Sequence, residues 1–159
     1  MPDYLGFGDP DMAQLHYIPR AEGRVLLDAI RAVEQFLEER DTQVRPQAAF
    51  LPGHFQGGHA AFAAADLYAR YSSELALLGV MGYAPTTSVE AVLPGSTVVA
   101  PMMVRAYSEY YGADKVDPQA TLADRWLTTE VEDVTTMCID AIQQYYPLSP
   151  EPLYAPVFS

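Results

Sequence analysis

The sequence predicts a single α/β domain: a small mixed sheet flanked by about three to four helices. Three observations carry this. The chain has 159 residues, enough for one core, and half of them are hydrophobic. Segments with helical apolar periodicity alternate with short apolar runs bounded by Pro and Gly. Such alternation favours layers of helix on sheet over a sandwich or a bundle.

Residues 1–22 lack periodicity and carry Gly6, Gly8, Pro10 and Pro19. They read as an irregular lead-in whose Tyr4, Phe7 and Tyr17 pack back on the domain. The clearest helix is expected over 23–40. Val25, Leu26, Ile30, Val33 and Leu37 recur at helical steps with Phe36 beside them, and Asp41-Thr42 mark its exit. Residues 43–51 read as a short strand, with Pro46 limiting it to an edge or to its first positions. Residues 52–59 (Pro-Gly-His-Phe-Gln-Gly-Gly-His) read as a loop.

Helix returns over 59–74, its many alanines allowing close packing. The continuous apolar run 75–83 suits a strand buried on both faces. Strand-like segments follow at 89–93 and 96–104, although a helix from Pro101 through Tyr111 fits equally well. A polar connection spans 112–120, and 121–129 is expected to hold a last short strand. Thr129 then looks like an N-cap for a helix to Tyr145, with Glu130, Glu132 and Asp133 in its first turn. Residues 23–146 thus form the domain, and 147–159 form a Pro/Tyr-rich tail that wraps its own domain or docks on a neighbour.

The formal net charge is −12, and Lys115 is the only lysine. Without clustered cations, neither a nucleic acid nor an anionic membrane is an expected partner. No apolar run is long enough to span a bilayer, and the N-terminus lacks the basic start of a signal peptide. A cytoplasmic location, or one inside an assembled particle, is expected. Cys138, the single cysteine, can form neither an internal disulfide nor a thiolate zinc cluster, and reads as a buried thiol.

No catalytic constellation stands out, and no catalytic residue, metal ligand or cofactor is assigned. His54 and His59 lie in the Gly-rich loop, but no nearby Cys, Asp or Glu completes a ligand set. They read as loop histidines, one of them capping the next helix. Gly53…Gly57-Gly58 is neither a Walker loop nor a dinucleotide fingerprint. Ser72, Ser73, Ser88 and Ser108 sit in no G-x-S-x-G elbow. His54 and His59 stay, with a group of aromatic residues, the candidates for a ligand pocket or an interface, although packing in the core or under the tail is the plainer role of any one tyrosine. Tyr107, Tyr110 and Tyr111 cluster; Tyr145, Tyr146, Tyr154 and Phe158 gather near the tail; and Trp126 reads as a core or pocket anchor.

Several segments resemble the DICT sensory domain of bacterial and archaeal signalling proteins: residues 26–34, 45–50, 68–71 followed by 77–81, and 125–134. The resemblance nominally covers 25–145. The counterpart of that family's strand with an acidic-Trp pair is missing, and the 55–59 loop and the tail look foreign to it. No catalytic residues come with the family. The resemblance implies a non-enzymatic sensory or regulatory domain working through a small pocket or a protein interface. The alternatives are a structural subunit of a larger assembly, docking through both extensions, and an enzyme using His54, His59 or a tyrosine. Self-association or a protein partner is expected in either of the first two readings.

Overall fold

Pro19 opens the first helix, where its missing N–H costs nothing. Helix α1 runs Pro19–Glu39, followed by strand β1 (Ala49–His54), helix α2 (Gln56–Tyr71) and strand β2 (Leu77–Tyr83). Six shorter helical pieces follow. They are α3 (Val89–Val92), a 3-10 turn (Leu93–Gly95), α4 (Ala100–Tyr111), α5 (Pro118–Thr121), α6 (Asp124–Leu127) and α7 (Glu130–Thr136). Helix α8 (Ile139–Tyr145) is last. The structure, a computed structural model, describes residues 2–9, 11–40, 43, 48–149 and 152–156. Pro10, Asp41, Thr42, Arg45, Pro46 and Phe158 lie outside the described residues.

The α/β class holds. The two described strands pair in parallel, with Phe50 opposite Gly79 and His54 opposite Tyr83. The residues group into two compact units, one of residues 1–5 and 19–87, the other of 6–18 and 88–159.

In the first unit α1 lies against α2. Gly23 permits this: a Cβ there would sit 2.8 Å from the backbone carbon of Ala63. The alanines of α2 complete the fit, with Ala60, Ala61 and Ala64 fully buried. Leu27, Ala64 and Leu75 form the core beneath, with Ile30, Leu51 and Leu67 packed around them. The expected stripe on α1 is therefore displaced: Val33 and Phe36 are exposed, and Gly23 and Leu27 make the contact. Strand β2 is not buried on both faces either, since Leu78 is 65% and Tyr83 57% exposed.

The second unit is more helical than expected. Residues 89–93 are helical because the Ser88 hydroxyl caps Ala91 N–H at 3.2 Å. Pro101 sits in the first turn of α4, so 100–111 takes the helical alternative. Residues 121–129 hold helical turns, not a strand. The helix expected from Thr129 to Tyr145 breaks at Met137-Cys138. The exposed Cys138 stands at the N-cap of α8, not in the core. Thr129 does occupy the N-cap of α7, but its hydroxyl donates to Asp133 Oδ2 at 2.7 Å instead of accepting a helix N–H.

Tyr17 of the lead-in packs on Val99 and Met103, and the Tyr107 hydroxyl donates to its carbonyl at 2.9 Å. Leu153 and Tyr154 are buried in a core with Leu122, Val134 and Ile142. Backbone bonds Ala123 N to Leu153 O (2.8 Å) and Ala155 N to Thr121 O (2.9 Å) hold that segment as a short antiparallel bridge. The described part of the tail thus packs on its own unit.

Candidate active site

Strand β1 passes into helix α2 through one residue, Phe55. Its backbone stands at φ 52, ψ −111, a region that L-residues avoid. Holding it there costs about 1–3 kcal/mol, so its surroundings must over-determine it. Phe55 N–H donates to Tyr83 O of β2 at 3.0 Å, and Phe55 O accepts from His59 N–H at 3.1 Å. One bond ties the turn to the sheet and the other starts the helix.

Glycines make the sharp turn possible. A Cβ on Gly53 would lie 2.0 Å from Gly57 O and 2.1 Å from its carbonyl carbon. One on Gly58 would lie 2.8 Å from Pro85 Cβ. Gly53 and Gly57 therefore touch across the bend, with Phe55 at its apex. The Pro52-Gly53-His54 stretch, expected as loop, is the end of β1, and the glycine pair is the first turn of α2.

A buried polar group braces this turn. Glu22 of α1 is 1% exposed. One of its carboxyl oxygens lies 2.6 Å from His59 Nδ1, and the other accepts from Gln56 Nε2 at 2.7 Å. Tyr4 is nearby; burial, and then the charge of Glu22, push its phenol up to about 12. His59 is thus neither a loop residue nor a cap, but a buried brace between α1 and α2. His54 is exposed, with its ring centroid 6.4 Å from that of Phe55. Among the described residues, no three His, Cys, Asp or Glu side chains are grouped as a metal ion would require.

In α/β-hydrolases a strand-to-helix turn of this kind carries the nucleophile: G-x-S-x-G, with the serine on the strained apex. Gly53-His54-Phe55-Gln56-Gly57 has that spacing and that backbone, with phenylalanine at the serine's position. The fold and the turn define an α/β-hydrolase elbow. The chain belongs to the secretory lipase family, whose model matches residues 1–146.

Among solved structures, the chain is similar to Candida antarctica lipase A, including its closed state, at 21% identity and a TM-score of 0.62. The match covers 90% of this chain and 36% of that one. It is also similar to a Legionella pneumophila protein assigned as a hydrolase, at 19% identity and a TM-score of 0.74, covering 99% of this chain and 45% of that one. The chain spans less than half the length of these structures. No curated protein matches it.

These findings correct several expectations. The DICT resemblance does not stand, because its loose hydrophobic segments are those of a lipase-family chain. The sensory and structural-subunit readings, and the leaning away from an enzyme, give way to a hydrolase lineage. A family described as secretory also overturns the cytoplasmic expectation. The elbow is hidden in the sequence because none of the serines stands at its apex. Glycines four apart, followed by a second glycine and an alanine-rich helix, were the available signal.

The aromatic residues singled out from sequence fall elsewhere. Tyr107 lines a cavity of about 460 Å3 in the second unit, together with Val89, Leu93, Met103, Val104 and Val116. Tyr110 and Tyr111 are exposed, and their rings meet edge to face at 4.8 Å. Trp126 sits among Tyr145 and Tyr146, and its Nε1 donates to Pro152 O at 3.0 Å. The Tyr146 hydroxyl donates to Asp133 at 3.1 Å; burial and then that carboxylate push its phenol up. The Tyr154 hydroxyl donates to Leu93 O, and burial raises its phenol to about 12.

Glu130, read as a helix-turn residue, is 3% exposed, and its Oε1 has no hydrogen-bond partner among the described residues. Burial raises its pKa; Arg105 opposes that shift, while Asp133 and Glu109 reinforce it.

Proposed function

We propose that this chain binds carboxylic esters of long-chain acids as a lipase-type α/β-hydrolase module, with the β1–α2 elbow as the place where the ester group docks. The observation that carries this reading is the backbone of Phe55. Strain of this kind persists where a function or a rigid frame demands it, and here the strand, the glycines and the Glu22–His59 pair all serve to hold that one residue out. The family match and the solved lipase neighbour support the same reading.

The test is photolabelling with a long-chain ester carrying a diazirine beside the carbonyl, followed by peptide mapping. Labelling of residues 50–62 that an excess of unlabelled long-chain ester suppresses is expected. Labelling elsewhere, or labelling that the competitor leaves unchanged, refutes the reading.

A further inference from the structure

An elbow presents whatever side chain stands at its apex, and here that is a phenyl ring. An aromatic carbon ring has no lone pair to add to a carbonyl carbon and no atom that can carry an acyl group. Nor does a residue near it along the chain replace it, because between Thr42 and Ser72 there is no serine, threonine or cysteine. Yet everything that would serve a nucleophile's backbone is kept. The apex holds its positive φ, Gly53 and Gly57 meet at a distance no side chain would tolerate, and both hydrogen bonds of Phe55 are in place. Phe55 is 37% exposed, so the position is open to an incoming molecule.

We infer that the elbow of this chain is a complete acyl-acceptor frame closed by one side chain: acyl transfer at residue 55 is blocked by Phe55 alone, and a nucleophile placed there becomes acylated. The inference rests on the functional reading above and adds to it which step the elbow withholds. Cysteine is the appropriate probe, because a thiolate is nucleophilic without a partner base. Its sulfur would add to the ester carbonyl carbon, and the carbon–oxygen bond to the leaving group would break. The products are a thioester at residue 55 and the released alkoxide or phenolate, the thiol proton passing to solvent.

The experiment compares the native chain, C138S and F55C/C138S with p-nitrophenyl butyrate. It follows nitrophenolate release together with the intact mass. F55C/C138S is expected to give a burst of about one equivalent and to gain one butyryl group. Its rate should exceed that of the exposed Cys138 thiol in the native chain by about tenfold or more, the advantage of a positioned group over a freely colliding one. C138S, which keeps Phe55, is expected to show neither.

A burst with covalent acylation in C138S overturns the inference. So does an F55C thiol that reacts no faster than Cys138. An alkyl fluorophosphonate on C138S gives a check independent of whether the variant folds, since covalent labelling at the elbow of that protein also refutes the block. If the photoprobe labels the elbow while F55C stays inert, the inference falls and the functional reading stands. If the elbow takes no probe, the functional reading falls first.

Discussion

Replacing Gly53 with alanine tests the geometry on which the elbow depends. The added Cβ would lie 2.0 Å from Gly57 O, 2.1 Å from its carbon and 2.6 Å from Gly58 N, where real Cβ contacts stay beyond 3.0 Å. All three neighbours are backbone, so no rotamer change relieves the overlap. The end of β1 and the start of α2 must part by about an ångström. Overpacking of a tight site costs about 1–3 kcal/mol and more where the backbone must move. Bond-angle strain adds roughly 1 kcal/mol for each 7° of deviation.

The loss of glycine's freedom in the unfolded chain returns about 0.4–1 kcal/mol. A net loss of about 2–4 kcal/mol is expected, a large share of the roughly 5–15 kcal/mol that holds a domain folded. Urea unfolding, followed by helical circular dichroism, measures it. Gly95→Ala is the control: a Cβ there meets nothing within 4 Å, so the same exchange should be neutral or slightly stabilising. If Gly53→Ala is as stable as Gly95→Ala, the strand and helix do not meet across residues 53–57, and the elbow assignment fails with them.

Three further outcomes are expected. His59→Ala leaves the buried Glu22 carboxyl without its imidazole partner, and should cost about 3–5 kcal/mol in urea unfolding; adding Glu22→Leu should recover part of the loss, and a His59→Ala protein of unchanged stability would refute the brace. Glu130 has a folded-state pKa raised by burial, so its native form holds the proton more tightly than the unfolded chain does. That burden is absent below the unfolded carboxyl pKa and grows as pH rises towards the folded one, so Glu130→Gln should raise the melting temperature at pH 7 and lose that advantage near pH 4; a gain independent of pH would count against it. Leu153→Ala empties a fully buried position and should destabilise by about 2–5 kcal/mol, read by denaturant titration; a loss under 1 kcal/mol would mean that the segment is not seated in the core.

Periodicity made the long elements legible. Helices α1 and α2 and strand β2 lie within a few residues of where their apolar spacing placed them. The segments at 89–93 and 121–129 were misread because short runs of Val, Leu and Thr between prolines satisfy strand and helix alike. Capping by Ser88, and Asp117 accepting from Gln119 N–H at 2.9 Å, decide for helix, and both are one-residue signals. The brace was illegible for another reason. Glu22 stands at the edge of an aperiodic stretch, and only the helix packing around Gly23 carries its carboxyl to His59, 37 residues away. The elbow was legible in its glycines and hidden by its apex: a pattern defined by its reactive atom disappears when that atom is exchanged, although the backbone rule behind it still holds.

The second unit gathers residues 6–18 and 88–159, which are separated along the chain by residues 19–87, and this bears on synthesis. Tyr17 and Ile18, both fully buried, leave the ribosome some eighty residues before Val99 and Met103, which cover Tyr17. At about 5–20 residues per second the delay is several seconds. Helices α1 and α2 and the β1–β2 pair can assemble meanwhile from neighbouring sequence. The aromatic lead-in cannot, nor can the core that awaits Leu153 and Tyr154. The nascent chain therefore carries an uncovered apolar segment around Tyr17 until Val99 and Met103 emerge, which makes that segment a natural point of capture for a chaperone that recognises short apolar stretches.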